Sequence, residues 1–127
     1  MVVDYIGLVR NKAASKALNY TYVIAGITNE LKAMALELNL PILALSQLNR
    51  NIENRANTEP QQSDLRDSGS IEQDADTVMF LHRKRGESAT KLYLSKNRNG
   101  QEGVTIDLTF NGKFTRFTEA KNAQPQP

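Results

Sequence analysis

The 127-residue chain has no cysteine, no tryptophan and a single histidine, His82. The missing thiols exclude a disulfide framework, a thiolate zinc site and a cysteine nucleophile, and a single imidazole disfavours a histidine metal cluster or a Ser-His triad. Aromatic residues make up only 6% of the chain. No charge of one sign dominates: sixteen Lys and Arg against fourteen Asp and Glu leave +2, so any affinity for nucleic acid must be read from where the cations lie. No apolar run approaches the roughly 18 residues that span a bilayer, and the N-terminus lacks the charged-then-apolar pattern of a secretory signal. These features lead us to expect a soluble cytoplasmic protein with no membrane partner. The seven glycines are scattered, and no G-x-x-x-x-G-K-[ST] loop occurs, so the chain by itself carries no P-loop ATP site.

What is present fits one ordinary globular domain, with 39% hydrophobic and 24% charged residues. The first nine residues, rich in Val, Ile and Tyr, suit a buried strand. Residues 10–20 are polar and basic and suit a connection or a short exposed helix. Ile24, Ile27, Leu31, Met34, Ala35 and Leu38 recur at spacings of three and four, which predicts a helix over 22–38 stopped by Asn39 and Pro41. The continuous apolar run from Ile42 to Leu48 predicts a strand covered on both faces. Strand, helix, strand in this order predicts a right-handed parallel crossover.

Residues 49–76 lose most of their hydrophobic side chains and read as a long binding loop with a short helix over 70–75. Further strands are expected at 77–82, 91–95 and 104–110, with Asn111-Gly112 as a two-residue hairpin turn into 113–117. The fold class expected is α/β, a mainly parallel sheet with helices on its faces and an antiparallel C-terminal edge, over residues 1–118. Residues 119–127 read as a disordered tail.

In open α/β sheets ligands gather at the carboxyl ends of strands, which points to Asp4, Gln47 and the region after Ser95. Asp4 suits a water-coordinated Mg²⁺ beside a nucleotide, or simply the end of a strand. Gln47 can sense a phosphate or polarised water, or satisfy backbone groups at the sheet edge. Lys96 and Arg98, two apart, are placed to address one phosphate if the chain is extended there, or are solvated loop charges. Arg50, Arg55 and Arg66, among Asn, Gln and Ser, form a kit for contacts along a nucleic-acid backbone, although aromatic stacking residues are absent there. Residues 49–87 hold eight acids against six basic residues, so a solvated loop is the competing reading. His82 reads as a structural residue of its strand.

The order of the blocks is more specific than any one of them. Val2-Val3-Asp4-Tyr5, Leu31-Lys32-Ala33, Leu45-Ser46-Gln47-Leu48-Asn49-Arg50, Ser63-Asp64-Leu65-Arg66-Asp67-Ser68-Gly69, Ile71-Glu72-Gln73-Asp74-Ala75-Asp76 and Ser95-Lys96-Asn97-Arg98-Asn99-Gly100 together resemble the C-terminal half of the RecA-like motor domain of DnaB-type replicative DNA helicases. The likeness runs to about Phe110. It implies a hexameric ring of identical or full-length helicase subunits that hydrolyses ATP with Mg²⁺ at subunit interfaces and moves on single-stranded DNA. Primase or a loader would engage regions outside this chain.

By that pattern Asp4 is the Walker B carboxylate, holding Mg²⁺ through water, and Gln47 couples the γ-phosphate to the DNA loops. Lys96 and Arg98 act in trans on the neighbour's nucleotide, Arg98 as the arginine finger. Arg66, Asp67 and Gly69 match the DNA-gripping loop, and Arg50 adds a phosphate contact. Asp67 stands where a glutamate is more usual, one methylene shorter. The family's P-loop and water-activating glutamate lie upstream of the first strand of this chain, so the isolated chain is expected to be inactive as an ATPase. The alternative is a stand-alone DNA-binding or helicase-docking module; a recombinase-like half matches the blocks at 63–76 and 95–100 less well.

Overall fold

The computed structural model describes residues 1–9, 20–48 and 69–120, which divide into two compact units, Met1–Ala75 and Asp76–Pro127. In the first unit β1 (Val2–Val3) leads into a single 3₁₀ turn (Ile6–Leu8), and α1 (Tyr20–Glu37) precedes β2 (Leu43–Ala44) and the short helix α2 (Gly69–Asp74). β1 and β2 pair in parallel, Val2 with Leu43 and Val3 with Ala44. The pairing extends past the strand ends: Leu45 N–H donates to Val3 O and Ile6 N–H to Leu45 O, both at 2.9 Å. The parallel relation expected from strand, helix, strand is therefore present.

The helix owes its position to the predicted stripe. Ile24 and Ile27 are buried with Ile6 of the 3₁₀ turn, and Val23, Leu31 and Ile71 pack around them. Its end is built by Asn39, whose φ of 49° is left-handed. Leu40 N–H donates to Ala35 O at 3.0 Å and Asn39 N–H to Leu36 O at 3.3 Å, the paired bonds of a Schellman cap. Pro41 follows where the helix cannot continue. At Gly7 a Cβ would stand 2.6 Å from the Tyr5 ring, so a larger residue in the turn after β1 would force that ring to shift.

The strand at 42–48 is not covered on both faces as its apolar run suggests. Leu43 and Leu45 are exposed, as is Val2 of β1. A continuous apolar strand is buried only where elements lie on both sides of it. Among the described residues of this unit, burial is confined to Ile6 and the α1 residues Ile24, Ile27 and Thr28.

The second unit overturns the expected sheet. β3 (Thr77–Arg83), β4 (Ala89–Asn97), β5 (Val104–Asn111) and β6 (Arg116–Glu119) form a four-stranded sheet in the order β3-β4-β5-β6, antiparallel at each pairing. The larger sheet is thus antiparallel and, among the described residues, only the two-stranded β1–β2 pair is parallel, the reverse of a mainly parallel sheet with an antiparallel edge. The physical reason is connection length. Segments 84–88, 98–103 and 112–115 join consecutive strands, whereas a parallel crossover needs about a dozen residues or more.

Antiparallel pairing also changes which side chains are inside. Val78 and Phe80 of β3 are buried while Met79 and Leu81 are exposed, the period-two pattern of a sheet with one covered face. Phe80 lies opposite Tyr93 with the rings stacked at 6.5 Å. The hairpin into β6 is longer than expected. Asn111 stays on the ladder opposite Arg116, and the left-handed residue is Thr115, with φ of 48°, at the end of a loop over 112–115. Within that loop Asn111 Oδ1 accepts the Lys113 N–H at 3.1 Å. Of the segment expected as a tail, Glu119 closes β6 and Ala120 N–H donates to Asp107 O at 3.0 Å, and residues 121–127 lie outside the described residues.

Candidate functional site

Asp4 leaves the end of β1 and is exposed, and Gln47, also exposed, stands three residues beyond β2. Because β1 and β2 are parallel neighbours, both residues come to the carboxyl end of the same small sheet, where this architecture places ligands. Ser46 Oγ donates to Gln47 O at 3.4 Å. Among the described residues no cluster of three or more His, Asp or Glu could hold a metal by itself. A lone exposed carboxylate fits Mg²⁺, which keeps most of its waters and takes one or two protein carboxylates together with substrate phosphates. The donor set therefore suits a nucleotide-borne Mg²⁺ and not an all-protein cage.

The second pair of candidates belongs to the other unit. Lys96 lies on β4 opposite Val78. Arg98 sits one residue past β4, so strand alternation does not set its direction. Asp76 does: Arg98 N–H donates to Asp76 O at 2.9 Å, and Arg98 Nη1 meets Asp76 Oδ1 at 2.7 Å. Both side chains are about half exposed, 51% and 50%. An ion pair so open to water contributes about 0–1 kcal/mol; it orients the guanidinium without burying it. The turn behind it is tight, with Asn97 N–H donating to Glu102 Oε1 at 3.1 Å and Gly100 N–H to Asn97 O at 3.2 Å.

Of the loop candidates, Gly69 opens α2, while Arg50, Arg55, Arg66 and Asp67 lie outside the described residues. What anchors α2 is visible. Buried Thr28 of α1 donates to Asp74 Oδ2 at 2.6 Å, with Ala25 O at 3.1 Å from the same hydroxyl. Thr28→Val keeps the shape and removes the donor to a charged acceptor, so stability is expected to fall by about 1–2 kcal/mol. A lowered urea midpoint with unchanged slope would register it; an unchanged midpoint would show that water replaces the hydroxyl at no cost.

His82 occupies β3 opposite Lys91, and its Nε2 is buried with no hydrogen-bond partner. Asp76 and the Thr28–Asp74 bond were not among the residues singled out from the sequence. The signal for Asp76 is register: once Thr77 is paired with Asn97, the residues just outside that pair, Asp76 and Arg98, fall opposite each other.

Comparison with known proteins agrees with the ordered blocks. The family model of the DnaB-like helicase C terminal domain matches residues 1–119, and the chain belongs to that family. The replicative DNA helicase DnaB of Pasteurella multocida (strain Pm70) is 47% identical over 124 residues, covering 92% of this chain and 26% of the relative. That of Treponema pallidum (strain Nichols) is 49% identical over 117 residues, 91% of this chain and 25% of the relative. The chain therefore spans about a quarter of the length of these curated relatives. Among solved structures, a DnaB-like replicative helicase, described with its interactions with primase, superposes with a TM-score of 0.84 at 35% identity, over 94% of this chain and 30% of that one. A second solved structure, described as an ATPase domain, gives the same score and identity over 44% of its chain.

Proposed function

We propose that this chain supplies the C-terminal part of an ATP-driven DNA helicase motor that assembles with other helicase subunits and tracks single-stranded DNA. The observation that carries the reading is the parallel β1–β2 pair, which brings Asp4 and Gln47 to one sheet end; the family match over residues 1–119 supports it. Asp4 would hold a water-coordinated Mg²⁺ on the nucleotide, and Mg²⁺ would supply charge neutralisation between the phosphates. Gln47 would orient a polar group at the terminal phosphate and pass its loss on to the DNA-contacting segment that follows β2 in the sequence. Lys96 and Arg98 would serve a neighbouring subunit's nucleotide, Arg98 with a guanidinium that stays half exposed. Arg66, Asp67, Gly69 and Arg50 would hold DNA by its backbone, giving binding indifferent to base sequence and weakened by salt.

The test is a hybrid ring in which residues 1–119 replace the matching segment of the Pasteurella multocida helicase. ATP hydrolysis stimulated by single-stranded DNA is the expected result. An assembled hybrid that binds nucleotide and DNA without hydrolysing ATP would overturn the reading in favour of a binding module.

A further inference from the structure

At the end of the four-stranded sheet away from Arg98, the connections 84–88 and 112–115 come together, because Arg83 pairs with Thr90 and Asn111 with Arg116 at that end. Phe110 N–H donates to Ser88 O at 2.7 Å, tying one hairpin to the other. Residues 83–88 and 111–116 carry Arg83, Lys84, Arg85, Lys113 and Arg116 against one carboxylate, Glu87. That local excess of four exceeds the +2 of the entire chain. All five cations are exposed, and among the described residues none of them is paired with a carboxylate.

Aromatic rings lie among these cations. The Arg83 guanidinium stands 4.6 Å from the Phe110 centroid, Phe110 packs on Phe117 at 4.8 Å, and Lys113 Nζ is 5.6 Å from the Phe114 centroid. Phe114 is 65% exposed, so its ring has surface left for a second partner. Like charges gathered without counterions repel one another and favour an anionic ligand. An exposed ring set among cations adds the stacking platform that lets single-stranded nucleic acid bind without base preference.

We propose that the joined tips of the β3–β4 and β5–β6 hairpins form a second contact for single-stranded DNA, distinct from the segment that contains Arg66. Lys113, Arg116, Lys84 and Arg85 neutralise phosphates, and one base stacks on Phe114. The rings of Phe110 and Phe117 hold Arg83 and the β5–β6 loop in place. The contact does not depend on nucleotide hydrolysis.

The test uses the full 127-residue chain and a fluorescein-labelled oligothymidylate, read by anisotropy across a salt series. All measurements are made with Arg66→Ala in place, so that loss of the loop contact and loss of the tip contact are separable. Phe114→Ala is expected to weaken binding at least about fivefold, the lower bound for one stacked base. Lys113→Ala with Arg116→Ala is expected to make the slope of log affinity against log salt shallower by about 1.4, two phosphates' worth for a single strand. All three substitutions are at exposed positions, and an unchanged circular dichroism spectrum checks the fold. Unchanged affinity and slope in both variants would overturn the proposal. So would polyglutamate competing as well as the oligonucleotide and losing nothing on Phe114→Ala, which would make the tip a dock for acidic protein segments.

Discussion

Arg98→Ala in the hybrid ring is expected to lower ATP turnover by about a thousandfold or more, the range over which an arginine finger acts, while affinity for single-stranded DNA is retained. The expectation follows from how the guanidinium is held. Its backbone is fixed to Asp76 by a 2.9 Å hydrogen bond and its fork is aimed by a 2.7 Å contact with the same residue, yet half of the side chain remains open. Exchanging a solvated carboxylate for a neighbour's phosphate forfeits about 0–1 kcal/mol at most, whereas charge placed in advance where the transition state needs it acts without reorganisation. Arg98→Lys keeps the charge but loses the planar fork and is not expected to restore turnover. Phosphate release and filter binding on the same preparations check the result; turnover preserved in the alanine variant would remove Arg98 from the role.

Phe80→Ala is expected to have the largest effect on stability, about 3–5 kcal/mol. Phe80 is 3% exposed and stacks on Tyr93 across the β3–β4 pair. Among the described residues of its unit only Val78 and Thr90 are also buried. A core this small has little to spare when whole domains are stable by about 5–15 kcal/mol. The loss is expected as collapse of amide protection in β3, β4 and β5, and Phe80→Leu is expected to retain most of it. A midpoint shift equivalent to less than about 1 kcal/mol, below even a mild core truncation, would show that the stacked pair is not what holds the sheet.

The parts of this structure that were legible in the sequence are those set by neighbouring residues. The three-and-four spacing from Ile24 to Leu38 marked α1, Asn39 and Pro41 marked its end, and the strand-helix-strand order implied the parallel β1–β2 pair, with Asp4 and Gln47 both beyond its carboxyl ends. The larger sheet is not legible in the same way, because Val78, Met79, Phe80 and Leu81 are all apolar. Composition alone does not tell that only Val78 and Phe80 face inward. The local clue was Gly86, whose φ of 87° suits a turn between strands; taken with the short 84–88 segment, it would have given an antiparallel hairpin. Asn111-Gly112 misled in the other direction, since cross-strand pairing with Arg116 keeps Asn111 on the ladder. Asp76 could not be found without the register it depends on. The family likeness rested on ordered blocks, among them the run containing Arg66 and Asp67, of which only Gly69 is among the described residues.

The two sheets differ in when they can form. Closing β1 on β2 requires Val3 to meet Ala44 across α1, so the entropy of a long loop must be met before any hydrogen bond returns it. Every pairing in the β3-to-β6 meander joins strands consecutive in the chain, so each hairpin can close on the previous one like a zip, the low-contact-order route associated with fast folding. The Asp76–Arg98 pair belongs to the first of those hairpins. The orientation of that guanidinium is therefore a product of local folding, available as soon as β3 and β4 have met.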